Sequence, residues 1–151
     1  MKGLAVIVIF IIILAISAFT ILNRSSSLQT ASPTPIPQAS DEKVNIKASF
    51  TIITGNITRS FKAEKYHNQS PDVYIESSDP TVVYVFKKGI SWDDFFKTLP
   101  MKLTKECLTT GDKETFCDGR GGTLKFFLND VETPDLLNKE IIEGDKTLIK
   151  F

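Results

Sequence analysis

The sequence predicts an α+β domain of short antiparallel or mixed strands with one helix, preceded by a transmembrane helix. Three observations predict this arrangement. Short β-branched and aromatic runs recur after residue 44 and are separated by turn residues. A single stretch, residues 91–99, has the apolar periodicity of a helix. Residues 4–22 form an uncharged apolar run that is long enough to cross a membrane.

Composition limits the class of protein. The chain has 151 residues, enough for one domain of ordinary size. Its 18 basic side chains balance its 18 acidic ones, and residues 41–151 hold 16 bases and 18 acids. This balance excludes a strongly basic nucleic-acid binder, so no nucleic-acid partner is predicted. With one histidine and two cysteines, the sequence assigns no metal ligands, no catalytic residues and no cofactor.

The N-terminal apolar run is predicted to be an uncleaved single-pass anchor over residues 4–22. It is longer than the apolar region of a signal peptide, the main alternative, which usually has about 7–15 residues. Lys2 precedes the run and Arg24 follows it, so the charges favour residues 1–3 in the cytoplasm and the remainder outside it. A type IV pilin is a further alternative, but cleavage after Gly3 would place Val8 where that family has glutamate.

Residues 23–43 are predicted to form a flexible linker. They are mostly Ser, Thr, Pro, Ala and Gln, and Pro33, Pro35 and Pro37 stand at alternate positions. Such a composition favours extended and coil conformations over a packed structure. The globular exported domain is therefore expected over residues 44–151.

The first half of this domain is predicted to contain strands and the helix. Ser49–Ile53 is followed by the turn residues Gly55-Asn56 and by a return strand over Ile57–Phe61, and Val73–Ile75 and Thr81–Phe86 follow. The helix is expected from Ser91, as N-cap, to Leu99, with Asp94 completing a capping box. Its apolar stripe is Trp92, Phe95, Phe96 and Leu99, which indicates core packing.

The second half is predicted to be mostly strands. The expected strands are Leu103–Thr109, Glu114–Cys117, Leu124–Leu128 and Lys146–Phe151. Thr133, followed by Pro134, is typical of the start of a short helical turn, which is expected to run through Leu137.

The two cysteines are expected to form a structural disulfide. Cys107 and Cys117 are equidistant from Asp112, so they face each other if the hairpin turns there. A disulfide suits an exported domain. The alternative is a redox-active pair, although such pairs usually have C-x-x-C spacing at a helix N-terminus.

The order of motifs resembles a group of small membrane-anchored exported proteins of archaea and candidate-phyla bacteria. The resemblance lies in G-I-S-W-D-D-F-F-K-T-L-P-M-K-L-T-K-E-C-L (89–108), F-C (116–117), T-L-K-F-F-L-N (123–129) and E-G-D-K-T-L-I-K-F (143–151). It implies His-x-His pairs for metal binding. Here the first and last pairs fall on Asn45/Lys47 and Tyr84/Phe86, while the only histidine is His67, which is interpreted as a loop residue.

The C-terminal half is also similar to ubiquitin-like β-grasp proteins. This similarity implies a strand, a short helical turn and a final G-D-x-x-x-I strand. Conjugating and sulfur-carrying members of that class end in Gly-Gly, whereas this chain ends Ile149-Lys150-Phe151. Neither activity is therefore predicted.

The leading hypothesis is a membrane-anchored extracytoplasmic binding or interaction module that a structural disulfide stabilises. The expected partners are the membrane and an envelope protein or a small ligand. The alternatives are a thiol–disulfide oxidoreductase that uses Cys107 and Cys117, and a degenerate metal-binding member of the family that the chain resembles.

Overall fold

The computed structural model describes residues 43–151. The predicted anchor, 4–22, and all but the last residue of the predicted linker lie outside this range. Among the residues described, no helix is long and apolar enough to span a membrane.

The described chain contains ten strands, one α-helix and two 3₁₀ turns. Helix α1 is Trp92–Thr98, and the 3₁₀ turns η1 and η2 are Glu64–Tyr66 and Leu136–Asn138. The strands are β1 (Lys43–Thr54), β2 (Ile57–Thr58), β3 (Val73–Ile75), β4 (Val82–Lys87), β5 (Lys102–Leu103), β6 (Cys107–Thr109), β7 (Thr115–Cys117), β8 (Lys125–Leu128), β9 (Val131–Glu132) and β10 (Lys146–Lys150).

The main sheet is mixed. Its strand order is β3-β4-β1-β10-β8-β9, and β2 pairs with the end of β1. The first and last strands, β1 and β10, run parallel with Ser49 opposite Lys146, while β4 and β8 pair antiparallel on either side of them. A second sheet has the order β5-β6-β7. The structure therefore confirms an α+β domain with mixed and antiparallel strands and one helix.

One face of the main sheet packs against helix α1, and the opposite face is open. Residues of β1 alternate between the two faces, with Ala48, Phe50 and Ile52 buried and Lys47 exposed. We call the second face the outer face. It carries Lys47 and Ser49 of β1 and the corresponding side chains of the neighbouring strands.

The helix begins where its local sequence predicts. The Ser91 hydroxyl accepts a hydrogen bond from the Asp94 N–H at 3.1 Å, and the Asp94 carboxylate accepts one from the Ser91 N–H at 2.9 Å. These two bonds form the expected capping box. The helix ends at Thr98, with Leu99 as C-cap before Pro100. The four residues of the predicted stripe, Trp92, Phe95, Phe96 and Leu99, are all buried.

The capping box gives the first prediction. Replacing Ser91 by alanine should lower the free energy of unfolding by about 1 kcal/mol, because the N–H of Asp94 loses its acceptor. Chemical denaturation at pH 7 measures this loss. Ser77→Ala, at an exposed turn position, is the control and should leave the midpoint unchanged. Equal stability of Ser91→Ala and wild type would contradict the prediction.

The same box makes stability depend on pH. Partial burial raises the pKa of Asp94, but hydrogen bonds from the Ser91 hydroxyl and N–H outweigh it and hold the pKa below 3.8. A lowered folded-state pKa stabilises the fold above the unfolded value, and that stabilisation is lost as the pH falls through the folded value. The deficit of Asp94→Asn relative to wild type should therefore shrink below pH 3.8.

Aromatic rings form the centre of the core, around Phe50 on the inner face of β1. Its ring contacts those of Phe61, Phe95 and Phe96 edge-on, at centroid distances of 4.8, 5.2 and 5.7 Å. Edge-to-face packing adds to the free energy gained from burying the rings. Phe50 therefore connects the sheet to two rings of the helix, Phe95 and Phe96.

Four predicted elements differ from the structure. The first strand, predicted over Ser49–Ile53, is longer and spans Lys43–Thr54. The expected strand Leu103–Thr109 is interrupted, because the Thr104 hydroxyl accepts hydrogen bonds from the N–H groups of Glu106 and Cys107 and bends the chain. The return strand predicted over Ile57–Phe61 stops at Thr58, and Phe61 turns into the core.

The helical turn predicted from Thr133 begins later than expected. It spans Leu136–Asn138 with Asp135 as N-cap. The hydroxyl of Thr133 donates to the carbonyl oxygen of Val131 at 2.9 Å instead of capping the turn. The turn is nevertheless in the predicted part of the chain, and it buries Leu136 and Leu137.

Candidate functional site: a cavity beside the disulfide hairpin

The disulfide joins strands β6 and β7. Cys107 and Cys117 are direct partners in the antiparallel register, and their Cα atoms are 4.2 Å apart. Both cysteines lie in strands and are partly exposed. The turn between the strands carries Thr110, Gly111 and Asp112, so the bond closes the base of a hairpin whose tip is residues 110–114.

The tip of this hairpin forms one wall of a cavity of about 260 Å³. The floor is apolar and consists of the buried side chains of Ile52, Phe61, Tyr66 and Leu108. Ile57, a residue 63 % exposed, also lines the cavity and is the first residue of β2. An apolar floor with a solvent-exposed isoleucine beside it is typical of a surface that binds an apolar group.

Polar groups surround the apolar floor. The side chains of Thr58, Ser60 and Thr110 line the cavity and bring hydroxyl groups, which can both donate and accept hydrogen bonds. Ligand sites commonly combine an apolar lining with a few polar groups that orient the ligand. The volume of the cavity lies near the lower end of the range for ligand sites, so it matches a small molecule.

Two ion pairs connect the hairpin tip to the opposite wall. Arg59 forms an ion pair with Glu114 and also donates to the Thr54 hydroxyl. Lys65 binds the Asp112 carboxylate at 2.7 Å and the Gly111 carbonyl oxygen at 3.3 Å. Both pairs cross from the segment after β1 to the hairpin, so they connect the two walls of the cavity.

The ionisation of the second pair reflects this contact. The hydrogen bond from Lys65 lowers the pKa of the Asp112 carboxyl, and the same hydrogen bond raises the pKa of Lys65. Both groups are solvent-exposed, so the pair contributes orientation more than stability. These two pKa shifts widen the pH interval in which Asp112 and Lys65 are both charged. The ion pair between them is therefore kept throughout the neutral pH range.

Gly111 allows the closest approach between the walls. A Cβ atom at this position would overlap the hydroxyl of Tyr66 and lie 3.1 Å from the carbonyl oxygen of Pro100. Any larger residue would therefore displace the hairpin tip or the Tyr66 ring. Position 111 therefore requires glycine because there is no space for a side chain. Its backbone angle is not the reason, since its φ is not positive.

The single histidine has a structural environment next to the cavity. His67 lies in the loop after η1, where it is buried, and its Nε2 lies 2.9 Å from the carbonyl oxygen of Phe61. Phe61 in turn packs against Tyr66, with ring centroids 5.1 Å apart. His67 thus contacts the segment 61–66, which carries the floor residues Phe61 and Tyr66.

The positions that the resemblance assigns to histidine pairs occupy one region of the sheet. Lys47 is the direct partner of Tyr84 across β1 and β4, and its Nζ lies 5.2 Å from the Tyr84 ring centroid. Asn45 and Phe86 lie two residues away on the same strands. In residues 43–151, no group of three or more His, Cys, Asp and Glu is arranged to hold a metal ion.

Sequence reasoning located the hairpin but missed the cavity. Its lining comes from four separate stretches: β1, residues 57–66, Met101 and the hairpin. None of these stretches carries a recognisable motif. The Gly111-Asp112 turn was the one local signal, because it predicted where the hairpin tip would be.

No protein-family model, no curated protein and no solved structure matches this chain.

Proposed function

We propose that the protein is a membrane-anchored extracytoplasmic binding module of the β-grasp type, and that its ligand occupies the cavity beside the disulfide hairpin. The observation that carries the proposal is the cavity itself, an apolar space with two ion pairs between its walls and a disulfide at the base of the hairpin. A wall fixed before binding reduces the entropy lost when a ligand is held.

The sheet topology supports the β-grasp part of the proposal. Four strands follow the order β4-β1-β10-β8, with the parallel pair in the middle. Helix α1 lies between β4 and β8 in the chain and covers one face. A ubiquitin-like sheet has the same order and the same central parallel pair. The 3₁₀ turn η2 before the final strand agrees with that class as well.

The disulfide and the N-terminal sequence support the location. Disulfides persist in oxidising compartments and are rare in the cytosol. The uncharged run 4–22 and the charges around it favour an anchor with the domain outside. These two arguments are independent, because one uses the cysteines and the other uses the first 24 residues.

The cavity favours a small, largely apolar ligand with one hydrogen-bonding end. The floor offers only side-chain carbon and the Tyr66 ring, so it selects an apolar body. The hydroxyls of Thr58, Ser60 and Thr110 would pair with the polar end. Arg59 and Asp112 already have charged partners, so the site does not favour a strongly charged ligand.

Location is tested on protein taken from its own cells. We expect the full chain to stay with membranes after alkaline extraction and Cys107 and Cys117 to resist alkylation until a reductant is added. Release from the membranes would exclude the anchor, and free thiols would place the domain in a reducing compartment. Reduction by glutathione at a potential above about −230 mV would favour the oxidoreductase alternative.

Ligand binding is tested with indole and phenol as probes, on the full chain in neutral detergent micelles. We expect both probes to shift the methyl NMR signals of Met101 and Leu108. Ser60→Trp should abolish these shifts by filling the cavity. The matched control is Ser78→Trp in the exposed turn between β3 and β4. Shifts that persist in Ser60→Trp, or that are absent from the wild type, would contradict the cavity as the binding site.

A further inference from the structure

A second depression lies on the outer face of the main sheet, away from the cavity. It has a volume of about 290 Å³ and is lined by Lys47, Ser49, Val82, Tyr84 and Lys146. It forms because β10 begins only opposite Ser49, whereas β1 and β4 are already paired before that point. Beside Lys47 the loop before β10 takes the place of a third strand, and the Gly144 N–H donates to the Lys47 carbonyl oxygen at 2.9 Å.

Two lysines give the depression positive charge. Lys47 and Lys146 are both exposed, and among residues 43–151 neither takes part in an ion pair. Two acids are nearby. The Asp145 carboxylate is buried and accepts hydrogen bonds from Asn129 and Ile142, while Asp79, at the rim, accepts one from the Thr81 hydroxyl.

The Glu143 side chain also approaches this region, but it contacts the backbone of Lys47 and not an ammonium group. Its carboxylate accepts a hydrogen bond from the Lys47 N–H at 2.8 Å. That bond holds the loop before β10 against β1. Among residues 43–151, neither ammonium group has a carboxylate partner, and that of Lys47 lies over the Tyr84 ring.

Aromatic rings adjoin the lysines. The ring of Tyr84 lies beside Lys47, and the rings of Tyr84, Tyr74 and Phe86 form a row with centroid distances of 5.9 and 5.4 Å and interplanar angles of 25° and 21°. All three rings are only partly buried. Aromatic rings at a protein surface give a large apolar contact area, and their faces attract positively polarised C–H groups.

The positive charge continues along the sheet. Lys150 stands four residues beyond Lys146 on the same strand and directly opposite Lys125 of β8. From the level of Lys47 to that of Lys150 is six residues of strand, about 20 Å. The Lys125 ammonium lies 3.6 Å from the Glu132 carboxylate and is paired with it, whereas Lys150 takes part in no ion pair among residues 43–151. Residues 43–151 carry 16 bases and 16 acids, so this line is a local concentration in a neutral domain.

We propose that this line, with the depression between Tyr84 and Lys146 as its principal subsite, binds an acidic glycan. The carboxylate or phosphate of one sugar unit sits between the ammonium groups of Lys47 and Lys146, and its ring lies beside the Tyr84 ring, over which the Lys47 ammonium already lies. The next acidic group of the polymer reaches Lys150. An extended polyanion matches a linear row of lysines better than a compact anion does.

The choice of a glycan over a nucleic acid rests on the extracytoplasmic location proposed above. The experiment separates the two questions, because glycan binding can be measured whether or not residues 4–22 span a membrane. Titrations use the full chain in neutral detergent, with polygalacturonate as the carboxylate probe, phosphomannan as the phosphate probe and neutral dextran as the reference.

We expect polygalacturonate or phosphomannan to bind at 0.15 M salt and dextran not to bind. The double variant Lys47→Glu/Lys146→Glu should weaken binding at least tenfold, and Tyr84→Thr severalfold. The matched control Lys62→Glu/Lys105→Glu makes the same change in net charge at exposed sites outside the sheet. Its affinity should stay within twofold of the wild type.

Three results would overturn the proposal. The first is no binding of either acidic glycan. The second is an equal loss in both double variants, which would mean that net charge alone governs binding. The third is tighter binding to an oligothymidylate of matched charge than to either glycan. Circular dichroism of each variant checks that a loss of binding is not a loss of fold.

Discussion

Replacing Phe50 by alanine should lower the free energy of unfolding by about 4 kcal/mol. The residue is almost fully buried, and its ring contacts three other aromatic rings from the segment after β2 and from helix α1. Removing it leaves a cavity at the junction of sheet and helix, where neighbouring rings are too rigid to fill the space. For a domain of marginal stability such a loss is a large part of the total.

Urea denaturation followed by circular dichroism measures the effect on Phe50→Ala. Phe50→Leu is the matched control and should cost less, because leucine fills most of the volume. Phe127→Ala, at a partly exposed position of β8, should cost least. Similar losses in all three variants would show that Phe50 is not the main contact between sheet and helix.

Replacing both cysteines by serine should lower the free energy of unfolding by about 3 kcal/mol, because the unfolded chain regains the entropy that the cross-link removes. The closed loop runs only from Cys107 to Cys117. The effect should reach the cavity as well, because Asp112 and Glu114 at the hairpin tip hold the ion pairs to Lys65 and Arg59.

The wild type in the presence of a strong reductant provides the control. It should unfold at the same denaturant concentration as Cys107→Ser/Cys117→Ser, and the variant should not respond to the reductant. If the variant and the oxidised wild type were equally stable, the disulfide would have no structural role. That result would favour the alternative hypothesis, in which Cys107 and Cys117 take part in thiol–disulfide exchange.

The features that the sequence predicted well depend on neighbours in the chain. The capping box at Ser91 requires residues three apart, and the hairpin around Asp112 requires two cysteines at equal distances from the turn. Such interactions are encoded within a few residues, so their pattern is visible in the sequence. The burial of Trp92, Phe95 and Phe96 follows from the same local periodicity.

The features that it missed depend on distant contacts or on competing hydrogen bonds. Strand β1 begins at Lys43, directly after the polar linker composition, and its alternating polar and apolar residues were not recognised as a strand before Ser49. The strand predicted over Leu103–Thr109 is interrupted because the Thr104 hydroxyl accepts a hydrogen bond from the Cys107 N–H. The parallel pairing of β1 with β10, and the walls of the cavity, bring together segments that have no pattern in common.

The central parallel pair determines when the domain can fold during its synthesis. Ser49 N–H donates to the Asp145 carbonyl oxygen, and Phe151 N–H donates to that of Ile53, so the middle of the sheet joins both ends of the domain. The chain therefore keeps one edge of β1 unpaired until residues 146–150 have been synthesised. The main sheet can be completed only after that point, and non-local pairing of this kind is slow. The hairpin at 107–117 has no such requirement and can close its disulfide first.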